Sequence, residues 1–155
     1  MIDALDARLL HLLTLEPRLP VLEAARRLGV ARGTVQARLD RLTAGGIVDL
    51  APSVDPVGLG YPVAAYTTLE VAQGARAALL AELAGIPELL EASTVTGAGD
   101  LLLRLVARDT THLQAVLDRV LALEGVTRST TTVTLTTPLH HRVLPLVDAA
   151  AAQQR

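Results

Sequence analysis

The hydrophobic positions of residues 1–50 recur at intervals of three and four, which predicts amphipathic helices. A first helix is expected to begin after Asp3, a suitable N-cap, and to end before Pro17. A second, short helix begins at Pro20 and ends at Gly29. The apolar stripe of the first helix is Leu5, Leu9, Leu12 and Leu13, and that of the second is Leu22, Ala25 and Leu28.

A third helix is predicted over about residues 31–44, closed by the pair Gly45-Gly46. Its inward stripe consists of Val35, Leu39 and Leu42. Two helices joined by a short turn that contains glycine match a helix-turn-helix. Residues 47–51 then alternate enough to predict a strand, which would form a small wing.

A dense run of proline and glycine follows, and this density is typical of a linker. Beyond it, four strands are predicted at residues 61–71, 89–96, 101–108 and 126–136. Helices are predicted at about residues 75–84 and from a cap at Asp109 or Thr110 to Gly125. The order βαββαβ is the ferredoxin-like arrangement.

The predicted fold class is therefore α+β, with an N-terminal winged helix-turn-helix joined to a C-terminal ferredoxin-like domain. The expected boundaries are 1–50 for the first domain, 51–60 for the linker, 61–137 for the second domain and 138–155 for a partly helical tail. In the third strand, residues of both faces are apolar: Leu101, Leu103 and Leu105 on one, Leu102 and Val106 on the other. Two helices cover only one face of a sheet, so we expect a homodimer through the second face.

The amino-acid composition excludes several kinds of functional site. Half of the 155 residues are hydrophobic, although Phe and Trp are absent, and the chain has no cysteine, which excludes disulfides and thiolate metal ligands. The four histidines do not form a metal set, because His140-His141 has no neighbouring carboxylate or third histidine, so no metal or cofactor is expected. Neither a membrane-spanning run nor a signal-peptide pattern occurs, which predicts a cytoplasmic protein.

Positive charge is concentrated in one stretch of a chain whose net charge is −2. Within residues 26–41 a single acid, Asp40, accompanies five arginines: Arg26, Arg27, Arg32, Arg38 and Arg41. A local basic patch suits phosphate binding by one face, although an arginine-rich helix is equally compatible with a solvated surface.

The third helix has the features expected of a helix that binds in the major groove of DNA. Gly33 and Ala37 lie opposite its apolar stripe, so its outward face is narrow enough to approach base edges. Around them lie the donors Arg32, Thr34, Gln36 and Arg41, while Arg38, nearer the core edge, is assigned to phosphate contact and helix packing. The predicted partner is double-stranded DNA, and the alternative is a surface helix with two small residues.

Residues along the whole chain now match one family in order and spacing. They are Leu5-Asp6, Leu9-Leu10, Arg18, the run from Glu23 to Val30, Thr34-Val35, Arg38, Arg41-Leu42, Gly46-Ile47-Val48, Gly60-Tyr61, Thr96-Gly97, Asp100-Leu101-Leu102, Gly125-Val126, Ser129 and Thr131. Over about residues 2–136 the chain resembles the Lrp/AsnC (leucine-responsive/asparagine-responsive) transcriptional regulators. The chain departs from the family where Ala31 replaces a capping serine, Pro20 a polar cap, and Gly99 an aromatic residue.

The resemblance implies a DNA-binding regulator that is not an enzyme. It implies a reader domain joined to a ligand-sensing and dimerisation domain, near-palindromic DNA sites, and dimers that assemble further to tetramers or octamers. An amino acid or related metabolite would shift assembly or DNA affinity. Two alternatives stay open: an enzyme of the same fold resembling siroheme decarboxylases, and a sensor that has lost DNA binding.

The effector site is predicted at the turn between the second and third strands. Gly97, Ala98 and Gly99 leave backbone amides uncovered, and Asp100 supplies a carboxylate, which together suit a free amino acid. Ser129 and Thr131 add hydroxyls at positions that lie near the same site in the family. We expect the ligand where this turn meets a neighbouring subunit. The alternative is that Asp100 only caps the hairpin and the threonines are ordinary strand surface.

Overall fold

The computed structural model describes residues 2–49 and 51–153, which form two compact units. The first unit contains the residues up to Pro52 and those from Leu139 onwards, and the second is Ser53–Pro138. In chain order the elements are α1 (Ala4–Leu15), α2 (Val21–Leu28), α3 (Arg32–Ala44), β1 (Val63–Val71), α4 (Arg76–Leu83), β2 (Leu89–Thr94), β3 (Leu101–Ala107), α5 (Thr110–Leu121), β4 (Val126–Thr134) and α6 (Leu144–Ala152).

Helix α1 begins at the predicted cap. The carboxylate of Asp3 accepts hydrogen bonds from the backbone N–H groups of Leu5 and Asp6, and the carboxylate of Asp6 accepts one from the backbone N–H of Asp3. This reciprocal pair is a capping box. At the end of α2, Gly29 adopts φ 71°, the left-handed conformation that glycine tolerates, and so permits the short turn into α3.

The core of the first unit joins four helices. Val35 and Leu42 of α3 pack with Leu9 and Leu10 of α1, and α6 adds Val147 and Ala151. The predicted partly helical tail thus contains a helix whose apolar side completes this core. A hydrogen bond of 2.7 Å between His11 Nε2 and Asp148 Oδ1 also links α1 to α6.

Two sequence predictions in the first unit are wrong. Leu22 is 67% exposed, because the buried side of α2 is formed by Ala24, Ala25 and Leu28, about a third of a turn away. The wing strand predicted at 47–51 is not present among the described residues 47–49 and 51; Leu50 lies outside the described residues. The N–H groups of Ile47 and Val48 both donate to the Leu42 carbonyl, so they close α3 instead of pairing with a strand.

The second unit contains the predicted βαββαβ order. Its four strands form an antiparallel sheet in the order β2-β3-β1-β4, and α4 and α5 pack on one face. Leu69 of β1 lies at the centre, opposite Leu101 of β3 and Ser129 of β4, and is fully buried with Leu79 and Val116 of the helices. The ferredoxin-like prediction is confirmed.

The second sheet face is less apolar than the third strand suggested. Val106 is 5% exposed and Leu102 is half-buried, but Arg104 lies between them. On β1 the same face carries Tyr66, which is 43% exposed, and Thr68. Each neighbouring strand therefore contributes both apolar and polar positions to this face.

Candidate nucleic-acid interface and effector cleft

The outward face of α3 is built from small side chains. Val35 and Leu42 are 2% and 0% exposed, whereas Gly33 and Ala37, on the opposite side of the helix, are exposed. A Cβ added to Gly33 would meet no atom within 4 Å. The start of α3 has neither a capping side chain nor an acid in its first turn, which leaves its positive dipole end uncompensated. The structure therefore presents a narrow ridge that is open to a large anionic partner.

Two flanks border this ridge. At about 100° per residue, Arg32 and Gln36 lie on one flank, and Thr34, Arg38 and Arg41 lie on the other. Arg32 is exposed and makes no ion pair with any residue in the described ranges. The amide of Gln36 donates to Asp40 Oδ1 at 2.8 Å, which orients this side chain along the helix.

The basic patch is smaller than the sequence indicates. Arg26 and Arg27 both donate to the carboxylate of Glu23, and Arg27 also donates to Glu16. Hydrogen bonds from Arg26 and Arg27 lower the pKa of Glu23 to about 2. Counting charges within residues 26–41 missed these partners because both acids lie outside that window, Glu16 just after α1 and Glu23 on α2.

Arg38 and Arg41 are also paired with acids, and these acids lie on the first turn of α1 and at its cap. Arg38 Nη1 donates to Asp3 at 2.6 Å and to Asp6 at 2.7 Å, and Arg41 Nη2 donates to Asp6 at 2.6 Å. The Asp6 side chain is 1% exposed, while those of Arg38 and Arg41 are 25% and 50% exposed. A buried carboxylate thus anchors one flank of α3.

The pKa values of Asp3 and Asp6 reflect their contacts with the arginines of α3. The hydrogen bond from Arg38 is the main cause that lowers the pKa of Asp3. Burial alone would raise the pKa of Asp6, but hydrogen bonds from Arg41, the Asp3 backbone and Arg38 lower it overall. The sequence reasoning missed Asp6; its position three residues after Asp3, the capping-box spacing, was the available signal.

The turn before β3 lies directly on β1. Gly97 has φ 107°, and a Cβ on Gly99 would lie 2.3 Å from Thr68 Cγ2. The backbone N–H of Asp100 donates to the Leu69 carbonyl at 2.8 Å. Only glycine at position 99 allows this close approach of the turn to the strand.

The carboxylate of Asp100 is engaged at the end of β1, a central strand of the sheet. Its Oδ2 accepts a hydrogen bond from the backbone N–H of Val71 at 2.8 Å, and its Oδ1 accepts one from Arg76 Nη2 at 3.3 Å. These contacts support the alternative in which Asp100 closes the hairpin. They also place a partly exposed carboxylate beside a partly exposed guanidinium.

A cleft of about 660 Å³ opens beside this pair. Its lining is Val71, Ala72, Gln73, Gly74, Arg76, Ala77, Leu80 and Asp100. Of the six predicted effector residues, only Asp100 lines it. Sequence reasoning missed Arg76, whose signal was its place as the first residue of α4.

Ser129 and Thr131 lie elsewhere. They oppose Leu69 and Thr67 in the sheet, and therefore share the face that the helices cover. The hydroxyls of Thr131 and Thr67 are 2.9 Å apart and bond to each other. Ser129 is half-buried beside Leu69, the residue whose carbonyl holds Asp100, so it reaches the turn only through that strand.

Within residues 2–49 and 51–153 there is no cluster of three or more metal-binding side chains. The same residues include no helix that is long and apolar enough to cross a bilayer.

Two protein-family models match the chain. An AsnC-type helix-turn-helix domain matches residues 2–43, and an Lrp/AsnC ligand binding domain matches residues 64–144. An HTH-type transcriptional regulator of Mycobacterium tuberculosis is 32% identical over 86% of this chain and 92% of its own length. An uncharacterized HTH-type transcriptional regulator of Pyrococcus abyssi is 31% identical over 87% of this chain and 86% of its own.

Solved structures share the arrangement. E. coli AsnC is 25% identical, with a TM-score of 0.85 over 94% of this chain and 99% of its own. A transcriptional regulator of Neisseria meningitidis in complex with L-Met is 27% identical, with a TM-score of 0.84 over 94% of this chain and 97% of its own.

Proposed function

Because the chain belongs to the Lrp/AsnC family of DNA-binding transcriptional regulators, we propose that it reads near-palindromic DNA through α3 and responds to an amino acid. The membership makes it a regulator and not an enzyme, so the decarboxylase alternative is set aside.

The outward face of α3 carries the DNA proposal. Gly33 and Ala37 form a ridge without bulk, which lets the helix enter the major groove. Arg32 and Gln36 supply donors on one flank, and Thr34, Arg38 and Arg41 supply them on the other. Because Arg32 has no acidic partner among the described residues, it is the strongest candidate for a phosphate or base contact.

Arg32→Ala tests this assignment. The full chain first selects a DNA site from a random pool, and the affinities of wild type and variant for that site are then compared. Loss of a base contact costs about 1–3 kcal/mol and relaxes one position, whereas loss of a phosphate contact weakens all sequences alike. Arg18→Ala, an exposed arginine outside α3, is the control. An Arg32→Ala variant that binds the selected site like wild type would remove α3 as the reader.

The cleft beside Asp100 supports the effector proposal. A free amino acid carries a carboxylate and an ammonium group, and Arg76 and Asp100 offer the complementary charges at the rim. Ala77 and Leu80 supply apolar surface for a side chain. The L-Met complex of the Neisseria relative supports an amino acid of this kind as the ligand class. Gly97, Ala98 and Gly99 remain candidates through their backbone, and Ser129 and Thr131 through a neighbouring subunit.

Thermal shift of the full chain with each of the twenty amino acids tests this site. A ligand at 100 times its Kd stabilises the native state by about 2.7 kcal/mol. We expect Asp100→Asn to reduce the ligand-induced shift, because the ammonium partner is lost. Asp118→Asn, the same substitution on an exposed position of α5, should leave the shift unchanged. A shift that survives intact in Asp100→Asn would place the ligand elsewhere.

The second face of the sheet supports a homodimer, which would supply the two-fold symmetry of a near-palindromic site. Leu102 and Tyr66 form its accessible apolar part, because Val106 is already buried within the chain. We expect sedimentation of the full chain at micromolar concentration to give a dimer or a multiple of it, such as a tetramer or octamer. A monodisperse monomer would contradict this.

A further inference from the structure

We propose that Asp3 and Asp6 are positioning residues for DNA recognition, which hold Arg38 and Arg41 in place and limit sequence-independent phosphate binding. This inference rests on the proposed use of α3 as the reading helix.

The geometry ties Arg38 to both acids at the start of α1 and ties Arg41 to Asp6. Asp3 Oδ1 and Oδ2 accept from Arg38 Nη1 at 2.7 and 2.6 Å, and Asp6 Oδ1 accepts from the same nitrogen at 2.7 Å. Asp6 Oδ2 accepts from Arg41 Nη2 at 2.6 Å. The two carboxylates are themselves fixed by the capping box at the start of α1. The guanidinium groups are therefore held by rigid partners.

The two arginines nevertheless remain partly exposed on the flank of α3. Arg41 keeps half of its side-chain surface in solvent, and Arg38 keeps a quarter. Each can therefore contact a phosphate or base edge while its acidic partner fixes where that contact occurs. A guanidinium without such a partner can bind any nearby phosphate, which raises the affinity of the protein for DNA of every sequence.

The ion pairs of Glu23 on α2 provide a control for those of Asp3 and Asp6 with α3. Arg26 and Arg27 of α2 are held in the same way by Glu23, but they do not lie on α3. Asp3→Asn and Glu23→Gln each remove one negative charge from the first unit. Asn is as good an N-cap as Asp, so Asp3→Asn keeps the start of α1 while it releases Arg38 from one carboxylate.

The experiment measures the affinities of full-length wild type, Asp3→Asn, Asp6→Asn and Glu23→Gln for a selected site and an unrelated duplex over a range of salt. We expect Asp3→Asn to bind the unrelated duplex more tightly, with a salt slope steeper by about one because one more phosphate is neutralised. The ratio of specific to unrelated affinity should fall about fivefold or more, the lower limit for one disturbed base contact. Glu23→Gln should leave this ratio unchanged.

A purely structural role for the acids would weaken both affinities together and leave the ratio constant, which would overturn the inference. An equal fall of the ratio in Glu23→Gln would also overturn it, because charge alone would then explain the effect. If Asp6→Asn fails to fold, Asp3→Asn decides the question. Arg32→Ala, measured on the same two duplexes, distinguishes a failure of α3 as the reading helix from a failure of the positioning role of Asp3 and Asp6. If that variant binds like wild type, the reading helix and this inference both fall; if it is weakened while the Asp3→Asn ratio is constant, only the inference falls.

Discussion

Gly99→Ala is a defined steric perturbation of the turn that carries Asp100. Gly99 has no positive φ, so alanine adopts its backbone conformation without strain. The added Cβ, however, would lie 2.3 Å from Thr68 Cγ2 and 3.1 Å from the Leu69 carbonyl oxygen. Ordinary carbon–carbon contacts are about 3.5–4.0 Å, so the first overlap exceeds about 1 Å.

The magnitude follows from two opposing effects. Overpacking of this kind costs about 1–3 kcal/mol, and the loss of glycine freedom in the unfolded chain returns about 0.4–1 kcal/mol. Gly99→Ala should therefore destabilise the second unit by about 1.3 kcal/mol, the difference of the two midpoints, and by at most about 2.6 kcal/mol. Thr68→Ser removes the clashing Cγ2 and keeps the hydroxyl. In that background Gly99→Ala should cost little, which gives a coupling of about 1 kcal/mol or more between the two positions.

Denaturant unfolding of the full chain, followed by tyrosine fluorescence, measures this cycle. The chain has no Trp, and its two tyrosines, Tyr61 and Tyr66, both lie in the second unit, so the signal reports that unit. Equal destabilisation by Gly99→Ala in the wild-type and Thr68→Ser backgrounds would refute the packing of the turn on β1. The position of Asp100 beside the cleft would then lack its structural support.

Two further predictions concern the first unit. Leu42→Ala leaves a cavity at a fully buried position of α3 and should lower the free energy of unfolding by about 2–5 kcal/mol. Circular dichroism should show that helix is lost at lower denaturant concentration than in wild type. An unchanged tyrosine-fluorescence transition would show that the destabilisation is confined to the first unit. The lowered pKa values of Asp3 and Asp6 predict stability that is present above the ordinary value of 3.8 and lost as the pH falls through their folded-state values. An acid titration by circular dichroism should show this step in wild type and a smaller one in Asp6→Asn; identical titrations would contradict it.

The helices and strands were largely predictable because their signals are local. Asp3 and Pro17 bound α1, Gly29 ends α2, and alternation marks the strands. The wing was mispredicted for a local reason. Alternation at residues 47–51 resembles a strand, but the N–H groups of Ile47 and Val48 bond to the Leu42 carbonyl at the end of α3.

The exposed small residues of the candidate DNA-binding face were predictable from the sequence, but the partners of the charged residues were not. Gly33 and Ala37 face outward as helical geometry requires. The partners of Arg38, however, lie on α1, more than thirty positions away in the chain, and no pattern within α3 indicates them. The same limit applies to Asp100, whose contact with Arg76 depends on how the turn packs against β1.

We infer that the narrow outward face of α3 enters the DNA groove, and the affinity of Ala37→Leu for the DNA site selected by wild type tests this placement. Ala37 is exposed, so leucine adds bulk to this face without altering charge or the core. Ala81→Leu, on an exposed position of α4, is the control. We expect Ala37→Leu to melt like wild type and lose binding by at least tenfold, about 1.4 kcal/mol, while Ala81→Leu binds normally. An Ala37→Leu variant that binds the selected site as tightly as wild type would show that this face of α3 does not enter the groove.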